Sequence, residues 1–292
     1  MAIPTGHALA TALVTGLLLG GLFTVTALGL SLIFGVLRLI NLVHGELIVL
    51  GAYLSYILLT HASIDPLLGL LVIVPVMFLI GLPLQRILLT PLMGKGAEAP
   101  LLTTFGLSII AQNLFILGFS GDTQALHASY ANASLSVAGI DVPQIYAISF
   151  GFALVLTAAT HLFLKRTAVG CEIRASAEDA GAAEMLGVNV SRVYSLTYGL
   201  GAAFAAIGGV LVGLAFSFTP TTGPGYLLTG FAVVVLGGLG SLWGTLLAGL
   251  LLGVVESVGA AFWGDGYRDF IGLAAFLIIL AIRPRGLFGR AE

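Results

Sequence analysis

The chain reads as an all-α polytopic membrane protein of about eight transmembrane helices with a broken or re-entrant glycine-rich segment, and three observations lead there. Hydrophobic residues fill 59% of the 292 positions and charged residues 8%, where a water-soluble domain carries roughly 45–50% and about 25%. Apolar runs of about 20 residues, the length of a helix that crosses hydrocarbon, recur from end to end. Glycine occurs 40 times, about twice its usual share, and in membrane helices it permits close backbone approach. The mean hydropathy of +1.12 agrees. A net charge of -2 leaves no basic surface for nucleic acid, and a single cysteine, Cys171, forms no internal disulfide.

The elements follow in order from charges, prolines and polar clusters. The first apolar run is free of charge from Met1 to Leu37 and has no positive residue before it. It is too long for the roughly 7–15-residue core of a secretory signal, so it reads as a retained membrane segment. Spans are expected at about 8–36, 39–60, 67–89, 99–119, 145–164, 193–216, 228–258 and 267–283, within a single domain covering 1–292. The seventh is too long for one crossing and is interrupted by Gly237-Gly238-Leu239-Gly240-Ser241. It reads as a half-helix, a turn inside the membrane and a second helix, a backbone tolerated only where protein or a water-filled cavity surrounds it.

Orientation follows from lysine and arginine, which concentrate in cytoplasmic loops. Arg86 and Lys95, then Lys165, Arg166, Arg174 and Arg192, then Arg283, Arg285 and Arg290 mark three cytoplasmic stretches. Ser120–Gln144 has no lysine or arginine and faces outward. Counting back places the N-terminus outside. Counting forward works if the seventh region returns to the side it entered from.

The cytoplasmic stretch 165–192 carries eight charges, four of each sign. Within it the run from Ala175 to Leu186 is rich in helix formers, with Ala175, Ala182, Ala183 and Leu186 on roughly one face and Gly187 as the stop. Its pattern fits either a helix that docks into a partner's groove or a solvated connector.

Four motifs carry a resemblance. Arg174-Ala175, Glu178-Asp179, Ala183 and Leu186-Gly187-Val188-Asn189 match the form R-A-x-x-E-D-x-x-x-A-x-x-L-G-[IV]-N. Leu32-Ile33-Phe34-Gly35-Val36, Ile40-Asn41-Leu42-Val43-His44-Gly45-Glu46 and Gly51-Ala52-Tyr53 form the second, and Val235-Leu236-Gly237-Gly238-Leu239-Gly240-Ser241 with Gly244 the third. Pro284-Arg285-Gly286-Leu287-Phe288-Gly289 is the fourth. Together they resemble the permease subunits of branched-chain amino acid (Liv-type) ABC transporters. The resemblance implies a multi-pass permease of the inner membrane, paired with a second, related permease. It also implies two cytoplasmic ATP-binding subunits and an extracytoplasmic substrate-binding protein. It assigns Arg174, Ala175, Glu178, Asp179, Ala183, Leu186 and Gly187 to coupling with the ATPase, within loop 165–192. Asn41, His44, Gly45, Glu46, Gly237, Gly238, Gly240 and Ser241 become helix breaks near the pathway. The implied cargo is branched-chain amino acids or related small amino acids or amides.

The residues add their own constraints. The chain contains no G-x-x-x-x-G-K-[ST] loop, so ATP is expected on partner subunits, and neither a bound cofactor nor a metal nor catalysis is expected of this chain. His44 and Glu46, two apart on a helix, diverge by about 200°, so they suit bracing of the break between the first two spans better than joint grip on a ligand. Glu256, Asp265, Arg268 and Asp269 read as an interfacial ion-pair cluster. Tyr53, Tyr56, Trp243 and Trp263 read as packing or interfacial aromatics. Gly16 with Gly20, Gly209 with Gly213, and Gly249 with Gly253 show the four-residue spacing of close helix packing. The alternative is an ion-gradient-driven secondary transporter or a channel for a small solute. The first of these usually places ionisable residues at its substrate site.

Overall fold

The computed structural model describes residues 6–96, 98–131, 133–137, 140–283, 286 and 287. The chain runs through α1 (Gly6–Leu37), α2 (His44–Ala62), α3 (Pro66–Pro83), α4 (Glu98–Phe119), the strands β1 (Ser134–Val137) and β2 (Ile140–Pro143), and α5 (Gln144–Arg166). It continues through α6 (Ala168–Glu178), α7 (Ala180–Met185), α8 (Val190–Ala215), α9 (Gly223–Gly237), α10 (Leu242–Trp263) and α11 (Arg268–Ile282). Asp65 starts α3, its carboxylate accepting from Leu67 N at 2.9 Å with Pro66 in the first turn. A π-helical stretch, Leu84–Leu89, and a short turn carry α3 on to Leu92.

Among the described residues seven helices are long and apolar enough to cross a membrane: α1, α2, α3 with its extension, α4, α5, α8 and α10. The expected seventh span resolves into α9 and α10, and the expected eighth into α11. Both α9 and α11 have 15 residues, about 22 Å at 1.5 Å per residue, short of the ~30 Å hydrocarbon layer. The turn between α9 and α10 packs beside the last turn of α1, where a Cβ on Gly35 would stand 2.8 Å from Gly240 Cα. The fourth motif falls mostly on residues outside those described. Its Leu287 N donates to Leu236 O at 2.7 Å, at the end of α9.

Helices α1 and α8 form the centre. Their apolar windows are 78% and 83% buried, against 17–28% for α3, α4 and α5. Lipid is as apolar as leucine, so helices here associate through close van der Waals contact, and glycine sets how close. Gly16 and Gly20 of α1 pack on Gly253 and Gly249 of α10, where a Cβ on Gly20 would lie 2.5 Å from Gly249 O. Gly209 of α8 packs on the Ile48 carbonyl of α2, and Gly213 on Leu126.

The segment between α4 and α5, expected only as a loop, contains an antiparallel hairpin with Ser134 opposite Pro143. Strands of four residues are below what periodicity reveals. The segment is also strapped to the bundle: Gln124 and Phe218 exchange backbone hydrogen bonds at 2.9 and 2.8 Å, and Leu126 N donates to Gly213 O at 2.9 Å. Tyr130 donates to Asp65 Oδ1 at 2.8 Å. Burial, with the Asp65 carboxylate beside it, holds the Tyr130 phenol above its ordinary pKa.

Candidate functional site

At the charged end of the bundle the expected single helix from Ala175 to Leu186 is two helices. Asp179 breaks it, with φ -150° and ψ 104°, and its carboxylate accepts from Ala182 N at 3.0 Å as the cap of α7. Aspartate is poor inside a helix and good at its start, so the position chooses the cap. The alanine face divides accordingly: Ala183 is 2% exposed, while Ala182 and Leu186 point outward. Gly187 ends α7 at φ +87°, with Gly187 N donating to Glu184 O at 2.9 Å and Val188 N to Ala183 O at 3.0 Å. That pair of bonds is a Schellman termination, which favours glycine at the left-handed position. Asn189 then caps α8 by accepting from Arg192 N at 3.0 Å.

The consequence is a rigid tip. Met185 is 91% exposed and Leu186 84%, two large apolar side chains held out by a helix fixed at both ends. Arg174, Glu178 and Glu184 are exposed around them. The tip is connected to the bundle, since Arg38, the residue after α1, donates through Nη2 to Ala177 O of α6 at 3.2 Å.

The second constellation lies between α1 and α2. Residues 38–43 turn back along α1 so that α2 begins beside its middle: His44 Nε2 donates to Thr26 O at 2.9 Å, eleven residues or about 16 Å before the end of α1. Asn41 Oδ1 accepts from Tyr198 OH of α8 at 3.3 Å. Glu46 Oε1 accepts from Ser108 Oγ at 3.2 Å and Gln112 Nε2 at 2.8 Å, both on α4. Asn41, His44 and Glu46 are all buried, and His44 and Glu46 do diverge, one toward α1 and the other toward α4.

Helix α9 also begins at this depth. Gly45 packs on the Gly223 carbonyl, and a Cβ on Gly223 would come within 2.6 Å of Glu46 Cδ. The first turns of α2 and α9 therefore meet around the Glu46 carboxylate, whose Oε2 has no hydrogen-bond partner. Two helix N-termini supply partial positive charge there, which favours an anion. Glycine at 45 and 223 is required by the approach, because any side chain would separate the helices. The glycines of the third motif sit at the other end of α9: Gly238 and Gly240 adopt φ +88° and +82°, Gly237 packs on Gly244, and Ser241 caps α10 by accepting from Gly244 N at 3.1 Å.

Sequence reasoning missed Ser108, Gln112, Tyr198 and Gly223, whose relation to the second motif exists only in three dimensions. The expected ion-pair cluster is also corrected. Arg268 pairs with Asp265 at 2.9 Å, while Glu256 is 4% exposed with an unpartnered Oε2. Tyr53 is fully buried in a cluster with Phe115, Phe119 and Phe218, whereas Trp263 is 56% exposed.

Residues 12–280 match the family described as branched-chain amino acid transport system / permease component. The chain is 32% identical over 298 residues to the high-affinity branched-chain amino acid transport system permease protein BraD of Pseudomonas aeruginosa, covering 96% of this chain and 95% of that one. It is 30% identical to LivH of Salmonella typhimurium, over 95% of this chain and 94% of LivH. The ribose import permease RbsC of Escherichia coli is 32% identical over 44% of this chain and 42% of its own length. No solved structure matches. With seven helices among the described residues long and apolar enough to cross a membrane, and with this coverage, the chain belongs to the permease-component family of branched-chain amino acid transport systems.

Proposed function

We propose that the chain is one permease half of an ATP-driven importer of branched-chain amino acids. Its companions are a second, related permease, two cytoplasmic ATPases and an extracytoplasmic binding protein. The observation that carries the reading is the exposed Met185-Leu186 tip on a helix capped at both ends by Asp179 and Gly187. Large apolar side chains held rigidly in water are suited to a partner's groove, the helix-in-groove mode. Arg174, Ala175, Glu178, Asp179, Ala183, Leu186 and Gly187 thus build, cap or border the docking element, and the chain itself performs no catalysis.

Mechanically, ATP shifts the inward and outward states only by the difference in its binding free energy to each. The docked α7 passes that difference to α6, and α6 to the end of α1 through Arg38. The segment that follows Arg38 leads on to the junction of α2 and α9, with Glu46 held between two helix starts. Asn41, His44, Gly45 and Glu46 brace that junction, and Gly237, Gly238, Gly240 and Ser241 form the turn that lets α9 fold back on α10.

Reconstitution in proteoliposomes with the partner subunits and binding protein tests this, using radiolabelled leucine. Uptake that requires ATP is the expected result. Uptake that persists without ATP and follows a proton or sodium gradient overturns the proposal.

A further inference from the structure

A cavity of about 100 Å³ lies between α9, α10 and α11, well above the roughly 10–15 Å³ that one water requires. We propose that it is a binding site for a small monovalent cation, present either as a free ion or as the ammonium group of an amino acid. Glu256 of α10 and Asp269 of α11 both line it, with Thr229 and Gly225 of α9. Glu256 is 4% exposed and its Oε2 has no hydrogen-bond partner. A carboxylate buried in this way is costly unless a positive charge or a proton joins it.

The remaining polar groups select the sign of the ligand. The Thr229 hydroxyl donates to Gly225 O at 3.2 Å, so its oxygen presents lone pairs rather than a hydrogen. No basic side chain is among the lining residues. Arg268, the nearest basic group, is bonded to Asp265 and acts on Glu256 only through space, without a hydrogen bond to it. Carboxylate and hydroxyl oxygens are the donor set of hard cations and of ammonium groups. The few fixed oxygens do not make the six-to-eight-oxygen cage of calcium, and no group of three or more metal-ligating acidic, histidine or cysteine side chains occurs among the described residues. Gly272 gives the Glu256 carboxylate its place: a Cβ there would stand 2.8 Å from Glu256 Cγ. Leu228, Ala232 and Leu252 supply an apolar wall beside the acidic end, a shape that takes an aliphatic amine as well as a bare ion.

Thermal unfolding of the purified full chain in lipid nanodiscs tests the site. Sodium chloride, ammonium chloride and L-leucine are titrated separately, with choline chloride at matched ionic strength as the blank. At least one should raise Tm with saturation in the native protein, and Glu256→Gln should abolish the rise. Asp269→Asn should weaken the apparent affinity at least tenfold, and serves alone if Glu256→Gln does not fold. A response to leucine but not to 4-methyl-2-oxopentanoate, with both salts inert, identifies the amino-acid ammonium. A response to either salt identifies a free ion. No saturable rise in the native protein, or an equal rise in the variants, overturns the proposal and leaves a proton on Glu256.

Discussion

Replacing both Met185 and Leu186 by serine separates docking from folding. Each side chain is more than four-fifths exposed, so its loss should leave stability within about 0.5 kcal/mol, the usual range for surface substitutions. In a partner's groove each side chain would contribute about 1.5–3 kcal/mol when fully buried. Together they would supply about 3–6 kcal/mol, or roughly 10²–10⁴ in dissociation constant. The assay is affinity capture of the ATPase subunit by the permease at graded concentrations, with Tm measured on the same preparations. Unchanged Tm with weakened capture and lost ATP-dependent uptake is expected. Native capture and uptake by the double variant would refute the docking assignment. Neighbouring positions behave differently. Gly187→Ala meets no atom within 4 Å and costs only the left-handed backbone, about 1–2 kcal/mol, whereas Ala183→Leu must find room at a site 2% exposed and should lower Tm.

Other outcomes follow from the same geometry. Glu46→Ala strands the Ser108 and Gln112 donors at about 1–3 kcal/mol each, so Tm should fall by more than in Glu46→Gln, which keeps an acceptor; equal falls would refute the bonding described. Gly249→Leu should separate α1 from α10, because a Cβ there would already stand 3.0 Å from Gly20 O; it is checked by loss of a folded peak in size-exclusion chromatography. The Tyr130 phenol has a raised pKa, so its contribution is complete below about pH 10, its ordinary value, and is lost as pH rises beyond it. Alkaline melts should show a smaller decline in Tyr130→Phe.

Much of the fold was legible because membrane helices are written in length and composition. The motifs were legible for a more local reason: many of their polar and glycine residues are helix punctuation. Asp179 and Asn189 start helices, Gly187 ends one, and Gly238 and Ser241 separate α9 from α10. A helix average over Ala175–Leu186 concealed the Asp179 break because alanines on both sides favour helix equally. The neighbour of the α9–α10 turn was illegible because hydropathy does not say which backbone packs beside it; Gly35 of α1 fills that place. Glu256 looked interfacial because three charges follow it closely in sequence, yet helix geometry turns its carboxylate toward Gly272 and away from Arg268's partner.

Arg38 joins the two halves of the site, and its backbone makes the joint testable. It adopts φ 51°, a conformation that costs a non-glycine residue about 1–2 kcal/mol. At that position the chain leaves α1, with Arg38 N donating to Phe34 O at 2.9 Å, and turns back toward Asn41, His44 and Glu46. The same residue's guanidinium reaches the carbonyl of Ala177, so displacement of α6 acts on the first residue of the returning segment. Glycine at 38 removes the backbone strain and the guanidinium together. The two effects oppose in different assays: Arg38→Gly should fold with Tm equal to or above the native value while ATP-dependent uptake falls, with capture of the ATPase unchanged. A variant with native uptake would show that α6 moves the bundle by another route, since the only residue whose side chain links α6 to the returning segment among the described hydrogen bonds would then be dispensable.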